Sequence, residues 1–400
     1  MQPLVRPPRL HLGRAGSASR LELFFDLAYV LVILELAQSL YVDMSWRGLL
    51  VMGGLFTAIW VSWMGFTLYA NRFDTDDVVF RLAKLAATAG IAGCAASASD
   101  AAGTYAVPFA ASYLLGRVVL LLLYARAWRH VADARPTINV YLVCVGLSSV
   151  LWAVSIATPA PGRYWLWAAA VLVDAVGPVL ATLRNDRLPL HIEHLPERFG
   201  LLVILVLGEA LGGAARGTHD ASWSGPSVAT GAFGLLVAAS LWWAYFDVSA
   251  ASSADNLEQA SHEDEDDPGA EDAPTDADQR HDLFVYGHFP LALGTVLAGV
   301  GLEGLAVHPE TPGPSPSAWL LAGGLALFYA GNAMVVAGTA RSWRPVWPWP
   351  LVLVPVVFAL GAAPLPSALL HAAAFAVITV VAAVHGTIVG RQPDAEISAE

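Results

Sequence analysis

The sequence predicts an all-α integral membrane protein of about twelve transmembrane helices, arranged as two parallel six-helix repeats with both termini inside. Three observations predict it. Of the 400 residues, 56% are hydrophobic and only 14% charged, with mean hydropathy +0.57, whereas a soluble domain carries nearer to about 25% charge. The apolar residues fall into runs of roughly 20, the length that crosses a bilayer's hydrocarbon layer. The basic residues then distribute to one side of those runs, as the positive-inside rule requires.

Twelve runs can be drawn, at about 21–41, 46–69, 78–99, 104–128, 137–157, 164–183, 198–215, 225–246, 283–305, 317–337, 346–362 and 366–389. The first is too long and too acidic for a cleaved signal peptide, and no A-x-A-like site follows it. The eleventh is short and carries Pro345, Pro348, Pro350 and Pro355, which predicts a kinked or partly re-entrant segment. With the N-terminus inside, fourteen Arg fall on the inner side and only Arg47, Arg163 and Arg216 in outer loops. That asymmetry predicts N-in, C-in. A single Lys beside 20 Arg suggests a GC-rich genome, which is compatible with a bacterial inner (plasma) membrane.

A duplication organises the spans. Leu115-Gly116-Arg117 and Ala125-Arg126-Ala127-Trp128-Arg129 recur as Ala330-Gly331-Asn332 and Ala340-Arg341-Ser342-Trp343-Arg344, at an offset of 215. Leu31–Leu34 recurs as Leu202–Leu205 at offset 171, which sets Asp26 on Glu197 and Gln38 on Glu209. Six spans per half is an even number, so the halves enter from the same side and are parallel repeats. The expected layout is an inner tail 1–20, a first repeat 21–183, an inner loop 184–197, a second repeat 198–389 and an inner tail 390–400. The second repeat is interrupted at 249–281, where eleven acids stand against one Arg. Such a segment cannot bury enough apolar area to fold and reads as a solvated linker.

Composition excludes several functions. Two cysteines, Cys94 and Cys144, rule out a disulfide scaffold, a Cys-based zinc site and an iron–sulfur cluster. A net charge of -12 argues against a nucleic-acid partner. No Walker loop, nucleophile elbow or dinucleotide fingerprint occurs, and no cofactor is implied. His191, Glu193, His194 and Glu197 form H-x-E-H-x-x-E, which departs from metal-binding H-E-x-x-H, so no metal is assigned. The expected partners are the lipid bilayer, a proton or monovalent cation, and further copies of the chain.

Ionisable residues inside spans are costly and so mark pathways or structural pairs. Glu22 and Asp26 share a face of span 1, one turn apart, and His194, Glu197 and Arg198 take the equivalent place before span 7. A mixed inner site follows, with Asp26 facing Glu197. Its structural alternative has Arg198, Arg20 and His194 neutralising the acids as ion pairs at the interface. Gln38 and Glu209 lie 12 residues deeper, and Gly212-Gly213 beyond Glu209 suggests an unwound helix. Glu35 is a further acid opposite Asp26. Arg117 needs an acid, first Asp174, with Glu35, Glu209 and Glu303 behind it. Arg81 and Lys84 read as snorkelling cations. His288 and Glu303 sit near opposite ends of span 9, with His288 a proton sensor or a packing residue. The ion-pathway candidates are therefore Asp26, Glu197, Glu209, Gln38, Glu22, His288 and Glu303.

The sequence resembles the bacterial low temperature requirement A (LtrA) family along nearly its whole length. The strongest pieces are Glu22-Leu23-Phe24-Phe25-Asp26-Leu27, His194-Leu195-Pro196-Glu197-Arg198-Phe199-Gly200-Leu201 running to Leu207-Gly208-Glu209, and Asn71-Arg72-Phe73-Asp74-Thr75-Asp76-Asp77. Others are Trp242-Trp243-Ala244-Tyr245-Phe246-Asp247 and Tyr286, His288, Pro290, Gly301, Leu302 and Glu303. The family is named for a cold-growth phenotype and implies no biochemical activity. Arg20-Leu21-Glu22-Leu23-Phe24-Phe25-Asp26 is also similar to the R-L-E-x-F-S-D opening of the two-by-six-span potassium- and proton-conducting channels, with Phe25 in place of Ser. The second half does not match it. Together these readings predict an ion or small-solute channel or transporter. A membrane-embedded enzyme using His194, Glu197 and Glu209, and a scaffold whose acidic linker recruits a partner, stand as alternatives.

Overall fold

The computed structural model describes residues 5–10, 20–74, 76–183, 195–250, 276–339 and 346–390. His194, linker residues 251–275 and the second repeat motif Ala340–Arg344 lie outside these described residues. The helices are α1 (Arg20–Val42), α2 (Trp46–Arg72), α3 (Val78–Ser97), α4 (Ala106–His130), α5 (Arg135–Ala157) and α6 (Gly162–Leu183). After them come α7 (Leu195–Asp220), α8 (Gly225–Trp243), α9 (Asp276–Val307), α10 (Pro316–Thr339), α11 (Val354–Ala362) and α12 (Ala368–Gly390). Among the described residues, eleven helical stretches are long and apolar enough to cross a membrane. The exception is the Pro-rich run. Trp349–Leu353 forms a wide π-type turn and α11 adds only nine residues, because each proline removes a backbone donor.

Among the described residues, 5–39, 47–198 and 276–278 form one compact unit, and 40–46, 199–250 and 279–390 form a second. In the first unit, a short strand β1 (Arg9–Leu10) pairs antiparallel with β2 (Phe73–Asp74), setting Arg9 opposite Asp74 and Leu10 opposite Phe73. Asp77 fastens this strap. Its carboxylate caps α3 by accepting the Phe80 N–H at 2.9 Å, and it also accepts the Arg6 N–H at 3.0 Å and Arg126 Nη2 at 2.6 Å. Arg126 Nη2 donates to the Arg6 carbonyl as well, at 2.6 Å. Burial pushes the Asp77 carboxyl up, but the bonds from Arg126, Phe80 and Arg6 outweigh it and hold the carboxyl at about 2. The interior holds a cluster of rings, Tyr69 edge-on to Tyr124 at 5.1 Å and Tyr124 stacked on Tyr141 at 4.9 Å.

The second unit is built on close backbone contact. α9 and α10 run antiparallel and meet at Gly287 with Gly331, Gly294 with Gly324, and Gly301 with Ser317 and Leu321, a seven-residue spacing on both helices. A Cβ on Gly331 would come to 2.5 Å from the Leu291 amide nitrogen and 2.6 Å from the Gly287 carbonyl. Small residues on one stripe let two backbones approach where lipid supplies no hydrophobic drive for helix association. α7 packs on α9 in the same way, since a Cβ on Gly217 would stand 2.6 Å from the Glu303 carbonyl oxygen and 2.7 Å from Ala306 Cβ.

Candidate functional site

The tight α7–α9 contact sets two acids side by side in the second unit. Glu209 on α7 and Glu303 on α9 are 1% and 2% exposed at their side chains, and both bond Arg216. Arg216 Nη2 donates to Glu209 Oε1 at 2.5 Å and to Glu303 Oε2 at 2.7 Å, while its Nε donates to Glu303 Oε2 at 3.0 Å. Because those two oxygens share one nitrogen, they lie no more than about 5 Å apart. The three groups carry two formal negative charges and one positive. Arg216 is the most exposed member, with 35% of its side chain accessible at the protein surface.

Two expectations are corrected here. Arg216 is not an outer-loop residue, because α7 continues to Asp220. Nor does α7 unwind at Gly212-Gly213. Gly213 and Gly217 serve the contact with α9, where Gly213 meets the Gly299 carbonyl, and Gly212 leaves room for the guanidinium. A Cβ on Gly212 would come within 2.9 Å of Arg216 Nη1. The sequence did hold a signal for the triad. Glu209 and Arg216 are seven residues apart, two turns on one helix face.

In the first unit, Glu22 and Asp26 converge on Arg198. Arg198 Nη1 donates to Glu22 Oε1 at 2.5 Å, and Nη2 lies 3.2 and 3.3 Å from the two Asp26 oxygens. Asp26, 1% exposed, also accepts the Trp63 indole N–H at 2.8 Å. This corrects the expected Asp26–Glu197 site: the next residue, Arg198, turns inward to Asp26, and the Glu197 side chain is exposed. Lys84 does not snorkel. It is 1% exposed, its Nζ has no hydrogen-bond partner among the described residues, and it stands 3.7 Å from the centre of the Phe25 ring and 5.2 Å from that of Phe66. A ring face attracts an ammonium group, and Lys84 is within electrostatic range of Arg198, Glu22 and Asp26. The four charged groups of this cluster sum to zero.

The remaining candidates separate by their surroundings. Arg117 bonds Asp174, both fully enclosed, and Ser148 donates to the second Asp174 oxygen at 2.5 Å. His288 is fully buried. Its Nδ1 lies 2.7 Å from the Phe284 carbonyl, which only accepts, so Nδ1 carries the proton and Nε2 faces the Tyr245 hydroxyl at 2.9 Å. Both ring nitrogens are thus occupied by neutral partners. Asn332, which replaces Arg117 in the repeat alignment, donates to the Ala244 carbonyl at 3.2 Å. Gln38 is partly buried, while Glu35 is exposed and Arg81 is exposed and bonded to Asp76.

Eleven apolar helices of spanning length, with charged side chains gathered in enclosed clusters, define a multi-pass helical membrane protein. Within that class the chain belongs to the bacterial low temperature requirement A (LtrA) family, matching it over residues 17–384. It is 27% identical over 334 residues to an uncharacterized protein of Rhizobium meliloti (strain 1021), covering 81% of this chain and 78% of that one. No solved structure gives a significant match.

Proposed function

We propose that this protein passes a proton or another monovalent cation across the plasma membrane, with Glu209, Glu303 and Arg216 as its ion-binding site. The observation that carries the reading is the meeting of two enclosed carboxylates, no more than about 5 Å apart, on one partly exposed guanidinium. Two carboxylates at that spacing repel, and a positive charge between them relieves the repulsion. Arg216 supplies that charge at rest as a tethered cation. When it swings toward solvent, the pair is left to a mobile cation, and Gly212 keeps the guanidinium's place unobstructed.

The first unit has a different role in this reading. Glu22, Asp26, Arg198 and Lys84 balance in formal charge, so that cluster locks α1, α3 and the start of α7 together and is not the exchanging site. The likeness of Arg20–Asp26 to the opening of two-by-six-span cation channels supports the class of activity. Two parallel repeats with cytoplasmic termini fit the one-sided arginines.

The test is flux of protons, potassium and sodium in proteoliposomes holding the full chain. Glu209→Gln and Glu303→Gln should each cut flux at least about tenfold, a barrier increment near 1.4 kcal/mol, while the variants elute and unfold as the wild type does. Absence of wild-type flux under every gradient, or full flux in both variants, overturns the proposal.

A further inference from the structure

The first unit contains a cavity of about 590 Å³ that no charged residue lines, walled by Leu50 and Gly54 of α2, Trp152 of α5, and Tyr164, Trp167 and Leu172 of α6 among others. Its size falls in the range of about 300–1,000 Å³ typical of ligand pockets. Its rim carries exposed apolar residues, Leu50 being 74% and Leu172 65% exposed. On helices that span a membrane, such a rim faces hydrocarbon.

Three further observations narrow the occupant. Gly54 sits inside α2, where glycine weakens a helix, yet a Cβ there would meet nothing within 4 Å. The glycines of the α7–α9 and α9–α10 contacts are required by a neighbouring backbone, whereas this one leaves space open. Trp152 is wholly buried and its indole N–H has no acceptor among the described residues, an omission that costs free energy until an acceptor arrives. The other polar groups of the wall are already engaged: Thr57 donates to the Gly53 carbonyl at 2.6 Å and Tyr164 to the Ala102 carbonyl at 2.5 Å.

Charge supplies the third observation. The wall is built from the start of α2, the end of α5 and the start of α6. Arg47 lies one turn before Leu50, and Arg163 directly precedes Tyr164. These are two of the three arginines that the one-sided distribution leaves on the basic-poor face. Arg163 is anchored through Nε to the Ser155 and Thr158 carbonyls, each at 3.1 Å. Arg47 is within electrostatic range of Asp100, whose carboxylate accepts the Thr104 N–H at 2.7 Å.

We infer that this cavity binds one anionic glycerophospholipid from the bilayer. An acyl chain occupies the groove beside Gly54, an ester carbonyl accepts the Trp152 N–H, and the phosphate lies toward Arg47 and Arg163. The inference is independent of the cation site.

The test uses the full chain in detergent, titrated with phosphatidylglycerol or phosphatidylcholine of matched chains and read by native mass spectrometry. Wild type should retain one phosphatidylglycerol with about tenfold preference over phosphatidylcholine. Gly54→Leu, which fills the groove, should lower retention of both lipids about tenfold. Elution and thermal unfolding of Gly54→Leu matching the wild type control for folding. Arg47→Gln should reduce the preference for the anionic lipid. A photo-reactive acyl chain should label peptides of α2, α5 or α6. Equal retention by wild type and Gly54→Leu, equal affinity for the two lipids, or labelling elsewhere would each overturn the assignment.

Discussion

Replacing Arg216 by Gln removes the positive charge that Glu209 and Glu303 share and leaves both carboxylates in place. At about 5 Å and an effective dielectric near 20, two like charges repel by about 3 kcal/mol. Removing one partner of a buried ion pair costs about 3–5 kcal/mol in general. Arg216 is one-third exposed, so water entering its place screens part of the repulsion, and the expected loss is about 2–3 kcal/mol. The assay is reversible unfolding of the full chain in mixed micelles. The decisive comparison adds Glu303→Gln to Arg216→Gln. With only Glu209 charged the repulsion vanishes, so the double variant should recover most of the loss, a coupling of about 2 kcal/mol. An Arg216→Gln protein within about 0.5 kcal/mol of wild type, or a double variant no more stable than the single, would refute the shared-charge description.

Other outcomes follow from the same geometry. Asp77 is held at about 2 against an ordinary 3.8, so its contribution is complete above the ordinary value and disappears as pH falls toward 2; wild type should exceed Asp77→Asn by about 2 kcal/mol at pH 6 and match it near pH 2 in urea unfolding. Gly213→Ala drives a methyl into the Gly299 backbone and should cost about 1–3 kcal/mol, whereas Gly208→Ala meets nothing within 4 Å and should be neutral or stabilising by up to about 1 kcal/mol, both read from thermal unfolding. Asp174→Leu should destabilise by about 3–5 kcal/mol by stranding Arg117, and adding Arg117→Met should restore most of that, checked in a double-mutant cycle.

The charge counts in the two units explain why equally suspicious acids receive different roles. In the sequence, Asp26 and Glu209 look alike: each is a carboxylate inside a long apolar run, and each lies at an aligned position or twelve residues beyond one. Their surroundings differ in the number of cations brought to them. Asp26 and Glu22 meet Arg198 with Lys84 near by, while Glu209 and Glu303 meet on Arg216. Span-by-span reading reaches the acids, since charges are rare in hydrocarbon, and Arg216 stands only seven residues from Glu209, but it does not reach the pairings between helices, which join Arg216 to Glu303 across 87 residues and Arg198 to Asp26 across 172.

Glycine misled the sequence reading for a related reason. The apolar run at 198–215 stops one residue short of Arg216, which put that residue in an outer loop, and Gly212-Gly213 suggested an unwound helix. In the structure these small residues are where α9 presses against α7, so the helix persists through them and carries Arg216 inward to the acids. Pro345–Pro355 was legible without tertiary knowledge, because a missing backbone donor acts locally.

The sequence by itself determined the position of the apolar runs, the membrane as their solvent, the family and the acids that hydrocarbon makes expensive. Each of these depends on local composition or on transfer free energy, which a residue carries wherever it lies in the chain. Only the tertiary structure decided that Arg198 takes Asp26 in place of Glu197, that Lys84 lies against Phe25, that Arg216 joins Glu209 to Glu303, and that Gly54 faces open space. Those facts depend on which helices touch and in what register, and stripes of glycine set that register by letting one backbone, and no other, come close.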